Sequence, residues 1–298
     1  MHFRQFTAQR ARLVLLVLAL SGGMGAMKSA TADEPPLPPI RTLQTAGGIP
    51  FAILGDKPAA PGPTLFVFAS EMRTTLTNED GGRLGHLLAR KGFLCVSLDL
   101  PCHGADVRPG ENPSDLRGWR TRLEEGENFV ATFAAKVSQV LDHLIAEKYT
   151  DPDSVGVAGT SRGGFIALHC AAVDSRLKYV VAFAPVTHLP ALTEFAGTDK
   201  SEPVLALSVS RAADKLVGRP IWMVIGNNDV RVGTEHCLTL LQELVKKSAA
   251  TVTPVPVELH LVGTINHRLH ASPAPQWKQT YAPHAEAAEW YLAQVGKK

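Results

Sequence analysis

The sequence carries almost no net charge, and this limits the partners that it can have. Its 298 residues include 30 Lys and Arg against 28 Asp and Glu, which gives a formal net charge of +2. Because charges of both signs are mixed along the chain, we expect neither nucleic acid nor an anionic membrane surface as its main partner. This composition leaves the oligomeric state open.

Long apolar runs are also scarce, and the N-terminal one is too short to span a membrane. A region with three arginines precedes an apolar run of eight residues, 13–20, and an Ala-Thr-Ala sequence ends at Ala32. A spanning helix needs roughly 20 apolar residues, whereas this order of basic, apolar and small residues is typical of a secretory signal peptide. We therefore predict a signal peptide over 1–32 and a mature chain that begins at Asp33. The protein is expected to be exported, periplasmic or secreted, with no stable membrane span after cleavage.

Cysteine is scarce, with four residues in all, and the spacing does not indicate a disulfide framework. Cys95 and Cys102 fall along one predicted strand and its exit. They would be up to roughly 20 Å apart at about 3.3 Å per residue, too far for a bridge without a fold-back. Cys170 and Cys237 fall on predicted helices. We expect mostly free or packed thiols and leave any pairing open.

What the chain does contain is a long alternation of short apolar runs and helical patterns. The Pro-rich segment after the signal peptide is predicted as a flexible or extended lead-in over 33–49. The remainder, 50–298, is long enough for one large α/β domain, with no second boundary and no internal repeat. Alternation of this kind predicts a parallel sheet that is covered by helices on both faces.

One short motif stands between a predicted strand and a predicted helix. Residues 159–164 read Gly-Thr-Ser-Arg-Gly-Gly, and apolar runs flank them on both sides. A serine at a sharp strand-to-helix turn, with small residues two positions before and after it, is typical of a nucleophile elbow. Such a turn holds the serine oxygen out above the sheet, so we predict that Ser161 is a catalytic nucleophile.

Two further residues complete a candidate catalytic triad in the order serine, acid, histidine. A serine hydroxyl is a weak nucleophile until a base removes its proton and a carboxylate orients that base. Asp229 follows the apolar run 221–226, and His267 follows the apolar run 255–262. Each therefore lies where a predicted parallel strand ends, at the edge on which open α/β sheets build their sites. We predict Ser161, Asp229 and His267 as catalytic residues.

A second histidine, His270, is the rival for the base. It lies three positions deeper into the same loop, which makes it the weaker candidate. The pair His267 and His270 has no third ligand at a characteristic metal-binding spacing. We therefore expect neither a metal site nor a cofactor.

These motifs resemble those of the α/β-hydrolase superfamily, closest in pattern to its dienelactone-hydrolase-like and prolyl-oligopeptidase-like branch. The elbow, the acid loop 226–232 and the Asp-x-Pro-x-x-Gly sequence at 99–104 carry the resemblance, which covers roughly residues 50 to 295. It implies the α/β-hydrolase fold: a mostly parallel central sheet with helices on both faces and a small cap. The predicted domain 50–298 would then be an α/β-hydrolase catalytic domain.

The chain departs from the family pattern after the third strand, where Ala69-Ser70 replaces the family's His-Gly. An acyl-transfer site needs two N–H donors for the developing oxyanion, and backbone groups suffice. We predict the backbone N–H of Arg162 as one donor and that of Ser70 or Glu71 as the other. The carboxylate of Glu71 would oppose an oxyanion, so we expect its side chain to point into solvent.

Two polar side chains near the predicted site are assigned ordinary roles. Arg162 is expected to be an exposed arginine on the first turn of its helix. His103 is expected to face solvent or to cap a turn. Two insertions, 105–127 and 187–219, frame the site; the first is rich in charge and the second has the length of a small cap. Neither is a long apolar lid, which disfavours a lipase that acts on aggregated lipid.

Together these features predict an exported serine hydrolase that cleaves carboxylic esters through an acyl-enzyme intermediate. The expected partner is a small-molecule ester or peptide substrate. One alternative is a serine peptidase of prolyl-oligopeptidase-like type, although the length of the chain leaves little room for the gating domain of those enzymes. The other alternative is a non-catalytic binding protein on a hydrolase scaffold, because a fold does not determine a function.

Overall fold

The alternating apolar pattern produces a single layered sheet with helices packed on it. The computed structural model describes residues 35–263, 267, 269 and 283–296. The predicted signal peptide 1–32, the predicted first mature residue Asp33 and the rival histidine His270 lie outside these residues.

The central sheet has eight strands within the described residues. They are β1 Ile40–Gln44, β2 Pro50–Leu54, β3 Gly62–Phe68, β4 Leu94–Ser97, β5 Thr150–Thr160, β6 Tyr179–Phe183, β7 Ile221–Gly226 and β8 Val257–Val262. Their spatial order is β1-β2-β4-β3-β5-β6-β7-β8. The pairings of β2 with β1 and with β4 are antiparallel, and all other neighbours are parallel. The predicted mostly parallel sheet is confirmed.

Helices cover both faces of this sheet. In the described part of the chain they are α1 Met72–Thr77, α2 Glu79–Ala89, α3 Arg117–Glu124, α4 Phe129–Ala146, α5 Arg162–Val173, α6 Glu202–Leu205, α7 Ala213–Leu216, α8 Thr234–Ala249 and α9 Pro283–Val295. Successive side chains of a strand point to opposite faces. In β3, Val67 lies against Gly85 of α2, whereas Phe68 packs edge-on against Phe133 of α4 at 5.4 Å between ring centroids. The two helices therefore lie on opposite faces, as predicted.

The sheet begins earlier than the sequence indicated. Strand β1 lies inside the segment predicted as a lead-in, 33–49, and pairs along its whole length with β2. The predicted domain boundary at residue 50 is therefore wrong, because it separates two paired strands. The strand is short, lies at the edge of the sheet and is only partly buried, so it carries little of the apolar signal that marks an internal strand.

The long helix α4 is a core helix. By length and composition it is apolar enough to span a membrane, and among the described residues one helix, α4, meets this criterion. Its apolar face is buried, and Phe133, Val137 and Leu141 belong to the hydrophobic core beneath the sheet. The same apolar pattern is thus satisfied by packing within the domain.

The four cysteines are free and buried, as the spacing led us to expect. Burial raises the pKa of Cys95 to about 12 and also raises the pKa of Cys170, which favours the neutral thiol. Buried thiols of this kind act as small apolar side chains in the core.

The first insertion, 105–127, is organised around a buried arginine. The side chain of Arg122 is 2% exposed, and its guanidinium donates two hydrogen bonds to Glu111, at 2.7 and 2.8 Å. It also donates to Asp106 Oδ2 at 2.6 Å and to the Asp106 carbonyl at 2.7 Å. The charge of this arginine is therefore compensated within the insertion, and the hydrogen bonds fix the loop against α3.

Candidate active site

Ser161 occupies a strained turn between β5 and α5. Its backbone has φ 55° and ψ −115°, a conformation that a non-glycine residue rarely adopts. A Cβ on Gly159 would lie 2.2 Å from the backbone of Gly163, and one on Gly163 would lie 1.9 Å from the Phe68 carbonyl oxygen. Only glycine fits at these two positions. The Ser161 N–H donates to the Phe183 carbonyl at 2.8 Å, which helps to hold the strained residue in place.

The structure brings the three predicted triad residues together. His267 Nε2 lies 2.8 Å from Ser161 Oγ, and His267 Nδ1 lies 2.8 Å from Asp229 Oδ2. Because a carboxylate accepts, Nδ1 carries the hydrogen and the lone pair of Nε2 faces the serine hydroxyl. Both distances lie in the range for proton transfer and for orienting the base. This arrangement can remove a proton from Ser161 while holding the imidazole in one tautomer.

The buried carboxylate of Asp229 is held in its ionised form. Its side chain is fully buried against solvent, and Oδ1 accepts from the backbone N–H groups of Arg231 at 2.9 Å and Val232 at 3.2 Å. Burial acts to raise the pKa of Asp229, but the hydrogen bonds from His267 and from these two amides outweigh it and lower the pKa. The carboxylate is therefore available to stabilise a positive charge on His267.

The predicted oxyanion loop offers one free amide rather than two. The backbone N–H of Ser70 donates to the Thr75 hydroxyl at 3.1 Å, so Ser70 is not available as an oxyanion donor in this structure. The N–H of Glu71 makes no hydrogen bond to the described residues, and that of Arg162 lies at the first position of α5, where helical amides have no intrahelical partner. The remaining pair of candidate donors is thus Arg162 and Glu71.

The side chain of Glu71, which was expected to point into solvent, is partly exposed and is bound to the first turn of a helix. It caps α1, where Oε1 accepts from the Arg73 N–H at 2.9 Å and Oε2 from the Thr74 N–H at 2.6 Å. Burial acts to raise the pKa of Glu71, but the hydrogen bonds from Thr74 and Arg73 lower it. Glutamate is not among the usual N-cap residues, so this role is hard to predict from the sequence.

His103 and Arg162 also differ from expectation, because they are bonded to each other. His103 is 2% exposed, and its Nδ1 lies 2.9 Å from the Pro101 carbonyl oxygen. Its Nε2 lies 2.6 Å from Nη1 of Arg162. The half-buried Arg162 side chain also donates from Nη1 to the Pro113 carbonyl at 3.1 Å and from Nη2 to the Ser114 carbonyl at 3.5 Å. The residue after the nucleophile is therefore tied to the first insertion.

The second insertion, 187–219, is tied to the acid loop by an ion pair. Arg231 donates to both carboxylate oxygens of Glu194, at 2.8 and 2.7 Å. Arg120 of the first insertion donates to the carbonyls of Glu194 at 3.2 Å and Ala196 at 3.1 Å. These bonds join both insertions to the loop that carries Asp229. Sequence reasoning missed them because 37 and 74 positions separate the partners.

No group of three or more His, Cys, Asp and Glu side chains that could hold a metal ion occurs within residues 35–263, 267, 269 and 283–296. His267 and His260 both contact other protein side chains. His267 bonds Ser161 and Asp229, and His260 lies 3.3 Å from Glu258.

Comparison with known sequences gives one family. The sequence profile of the prolyl oligopeptidase family matches residues 132–296, more than half of the chain, and this range includes all three triad residues. A comparison with curated proteins gives no significant match.

Solved structures share the fold at low sequence identity. Porphyromonas gingivalis dipeptidyl peptidase 4 is 16% identical with a TM-score of 0.62, over 87% of this chain and 35% of that one. A cold-adapted esterase from an Arctic intertidal metagenomic library is 19% identical with a TM-score of 0.56, over 86% of this chain and 92% of that one. A Klebsiella pneumoniae protein described as a dienelactone hydrolase is 16% identical with a TM-score of 0.58, over 87% of this chain and 100% of that one.

The chain therefore spans about a third of the length of the dipeptidyl peptidase and nearly all of the other two proteins. At these identities the likeness establishes the fold alone. The resemblance to the dienelactone-hydrolase-like and prolyl-oligopeptidase-like branch, which the motifs indicated, is confirmed by the family profile together with these structures.

Proposed function

We propose that this chain, which belongs to the prolyl oligopeptidase family, is a serine hydrolase that cleaves carboxylic esters through an acyl-enzyme intermediate. The observation that carries the proposal is the pair of 2.8 Å hydrogen bonds from His267 to Ser161 and to Asp229. Binding alone does not require a strained serine whose hydroxyl faces a correctly oriented base. The geometry therefore favours catalysis over a non-catalytic binding role.

In the acylation half of the reaction, Ser161 Oγ attacks the ester carbonyl carbon while His267 Nε2 takes the hydroxyl proton. Asp229 stabilises the imidazolium that forms, because its carboxylate is ionised and lies against Nδ1. The carbonyl oxygen becomes an oxyanion, for which the backbone N–H groups of Arg162 and Glu71 are the proposed donors. The intermediate collapses when the bond to the alcohol oxygen breaks, and that oxygen takes the proton from His267.

Deacylation repeats these steps with water in place of the alcohol. His267 Nε2 removes a proton from water, and the resulting hydroxide attacks the acyl carbon. The bond to Ser161 Oγ then breaks and the serine oxygen recovers the proton from His267. The products are a carboxylic acid and an alcohol, and the enzyme returns to its starting state.

Peptide hydrolysis is the second candidate activity, because the family profile and the dipeptidyl peptidase structure favour it. The ester proposal is supported by the esterase and the Klebsiella protein, which this chain matches over nearly their whole lengths. Both activities use the same triad, so the site geometry does not separate them. The difference lies in the leaving group, since an amine needs protonation by the histidine before it departs, whereas an activated alcohol does not.

A substrate panel tests the proposal. We expect the purified protein to hydrolyse p-nitrophenyl esters of short acids with a kcat/KM well above that for peptide p-nitroanilides. Ser161→Ala is the matched control, and it should remove both activities if one site performs them. Turnover of peptide anilides with no ester activity would replace the ester proposal with the peptidase. Absence of both activities, with no reaction towards a serine-directed fluorophosphonate, would support a binding protein.

We also propose that the protein is exported and that its mature form begins at Asp33. The support is the order of basic, apolar and Ala-Thr-Ala sequences before that residue. Expression of the full chain in a bacterial host, followed by intact mass of the periplasmic and secreted fractions, tests this. A mass that includes Met1 in a cytoplasmic fraction would contradict export.

A further inference from the structure

The guanidinium of Arg162, the residue that follows the nucleophile in the chain, leaves hydrogen-bonding capacity unused. Nη1 donates its two N–H groups to His103 Nε2 and to the Pro113 carbonyl, and Nη2 makes one long bond, 3.5 Å, to the Ser114 carbonyl. The edge formed by Nε–H and the second Nη2–H makes no hydrogen bond to the described residues. This edge is the fork that binds a carboxylate with two parallel hydrogen bonds.

All the acceptors that hold Arg162 are uncharged. Two of them are backbone carbonyls, and the third is His103 Nε2. The Nδ1 of His103 faces the Pro101 carbonyl, which can only accept, so Nδ1 carries the hydrogen and Nε2 accepts from Arg162. Burial lowers the pKa of His103, which keeps this imidazole neutral. The bonds that position the guanidinium therefore bring no negative charge to it.

The nearby carboxylates are engaged elsewhere. Glu194 binds the guanidinium of Arg231 through both oxygens, and Asp115 accepts from the Arg117 backbone at 2.9 Å and pairs with the Arg117 side chain at 3.5 Å. Burial, followed by the positive charge of Arg231, lowers the pKa of Arg162, and the negative charges of Glu194 and Asp115 offset this only in part. Among the residues that the structure describes, Arg162 forms no ion pair.

The loop that carries His267 brings no compensating charge in its sequence. Residues 264–282 include Arg268 and Lys278 but neither aspartate nor glutamate. The partly buried positive charge of Arg162 thus has no carboxylate partner among the described residues, and the loop 264–282 contains no carboxylate that could supply one. A half-buried guanidinium without a counter-charge is costly unless a ligand supplies one.

We propose that Arg162 is a specificity-determining residue that binds a carboxylate of the substrate, so that the preferred substrates are esters of anionic, carboxylate-bearing acids or alcohols. This inference rests on the proposed ester hydrolysis and names its substrate class. The carboxylate would lie within reach of a side chain adjacent to Ser161, and hence only a few bonds from the ester group. A two-point contact of this kind also orients the substrate for attack.

The competing explanation is that Arg162 only positions the turn that carries Pro113 and Ser114. A positioning role would lower the efficiency for every substrate alike when the side chain is removed. A carboxylate site would lower it for anionic substrates alone. The ratio of kcat/KM for an anionic ester to kcat/KM for its neutral counterpart separates the two, because general damage to the site cancels from that ratio.

The test uses p-nitrophenyl monoesters of succinic, glutaric and adipic acid, each beside the neutral diester whose far carboxyl is methylated. We expect the wild-type protein to prefer one anionic chain length by roughly tenfold or more. Arg162→Gln should abolish this preference, and Arg162→Lys should retain part of it because the charge stays while the fork is lost. Arg41→Gln is the control for net charge, since Arg41 lies on the edge strand β1 with a side chain that is 44% exposed, and it should keep the preference.

Equal efficiency for anionic and neutral esters in the wild type would overturn the carboxylate site. So would a preference that survives in Arg162→Gln or disappears in Arg41→Gln. In each of these cases ester hydrolysis itself would stand, because turnover is still observed.

A second readout does not depend on ester turnover. Succinate, glutarate and adipate are tested for protection of Ser161 against a neutral fluorophosphonate, with the corresponding diamides as uncharged controls. We expect one dicarboxylate, and no diamide, to slow labelling of the wild type but not of Arg162→Gln. Protection of this kind without ester turnover would remove the ester proposal and leave the carboxylate site. Absence of turnover and of labelling would overturn both.

Discussion

The nucleophile elbow and the first insertion lie side by side, yet they surround an arginine in opposite ways. Arg122 in the insertion is 2% exposed and is bonded to the carboxylates of Glu111 and Asp106. Arg162 at the elbow is held by neutral acceptors alone. One guanidinium completes a charge-balanced cluster, and the other forms no ion pair among the residues that the structure describes.

The same contrast extends beyond the two arginines. The elbow holds Ser161 at a positive φ and aims its hydroxyl at His267, whereas the insertion places its ionic groups in mutually satisfied bonds. Strain and uncompensated charge reduce stability and are kept where function needs them. We therefore expect substitutions at the elbow to remove activity from a stable protein. Substitutions within the insertion cluster should remove stability first.

Ser161→Ala should have the largest effect on activity. It deletes the nucleophile without adding bulk, and it removes only one hydrogen bond from a partly exposed site. We expect kcat/KM to fall on the order of 10⁴-fold or more, with little change in the urea midpoint of unfolding. Activity assays and equilibrium unfolding on the same preparation check this. A variant that kept near-full activity would show that Ser161 is not the nucleophile.

His267→Ala should be nearly as damaging, because the serine then has no base to accept its proton. His270→Ala is the comparison, and it should cost little, since His270 lies three residues further along the loop and His267 already contacts both triad partners. The kcat/KM of both variants with one ester is the measurement. An active His267→Ala beside an inactive His270→Ala would transfer the base to His270.

Arg122→Ala should have the largest effect on stability. It leaves the buried Glu111 carboxylate, whose side chain is 10% exposed, without its charged partner. Removing one member of a buried ion pair costs about 3–5 kcal/mol in the free energy of unfolding. Urea unfolding measures it, and Arg117→Ala is the exposed control, expected to change stability by less than about 0.5 kcal/mol. An Arg122→Ala variant as stable as the wild type would contradict the claim that the ionic cluster of the insertion contributes to stability.

The smallest effect concerns the acid stability of the insertion. Hydrogen bonds from Arg122 lower the pKa of Glu111 from its ordinary value of 4.5 to about 2. Because the folded pKa lies below the unfolded one, the stabilisation is complete above about pH 4.5 and is lost as the pH falls towards 2. The urea midpoint of the wild type should therefore drop more steeply below pH 4.5 than that of Glu111→Gln. Parallel pH profiles would contradict this role of Glu111.

Local patterns allowed the elbow and the triad to be predicted from the sequence. Within a few residues, the glycines around Ser161 specify a close strand-helix approach, and Asp229 and His267 each follow an apolar strand. Long-range contacts carried no such signal. The bond between His103 and Arg162 spans 59 positions, and the Glu194–Arg231 pair spans 37.

Two further features were missed for local reasons. Strand β1 is a short, partly buried edge strand that follows a Pro-rich segment, so its apolar periodicity is weak. The cap of helix α1 is a glutamate, whereas serine, threonine, aspartate or asparagine usually occupies that position. The roles of Ser70 and Glu71 depended on this helix, because Thr75 within it takes the Ser70 amide.

The acyl-enzyme itself provides the most direct test of the central assignment. The protein is mixed with a p-nitrophenyl ester, quenched in acid within the first turnovers, digested and examined by mass spectrometry. We expect the acyl group on the peptide that contains Ser161, an initial burst of p-nitrophenol when deacylation is the slower step, and no adduct in Ser161→Ala. An acyl group on another residue, or ester turnover in Ser161→Ala equal to that of the wild type, would contradict the account.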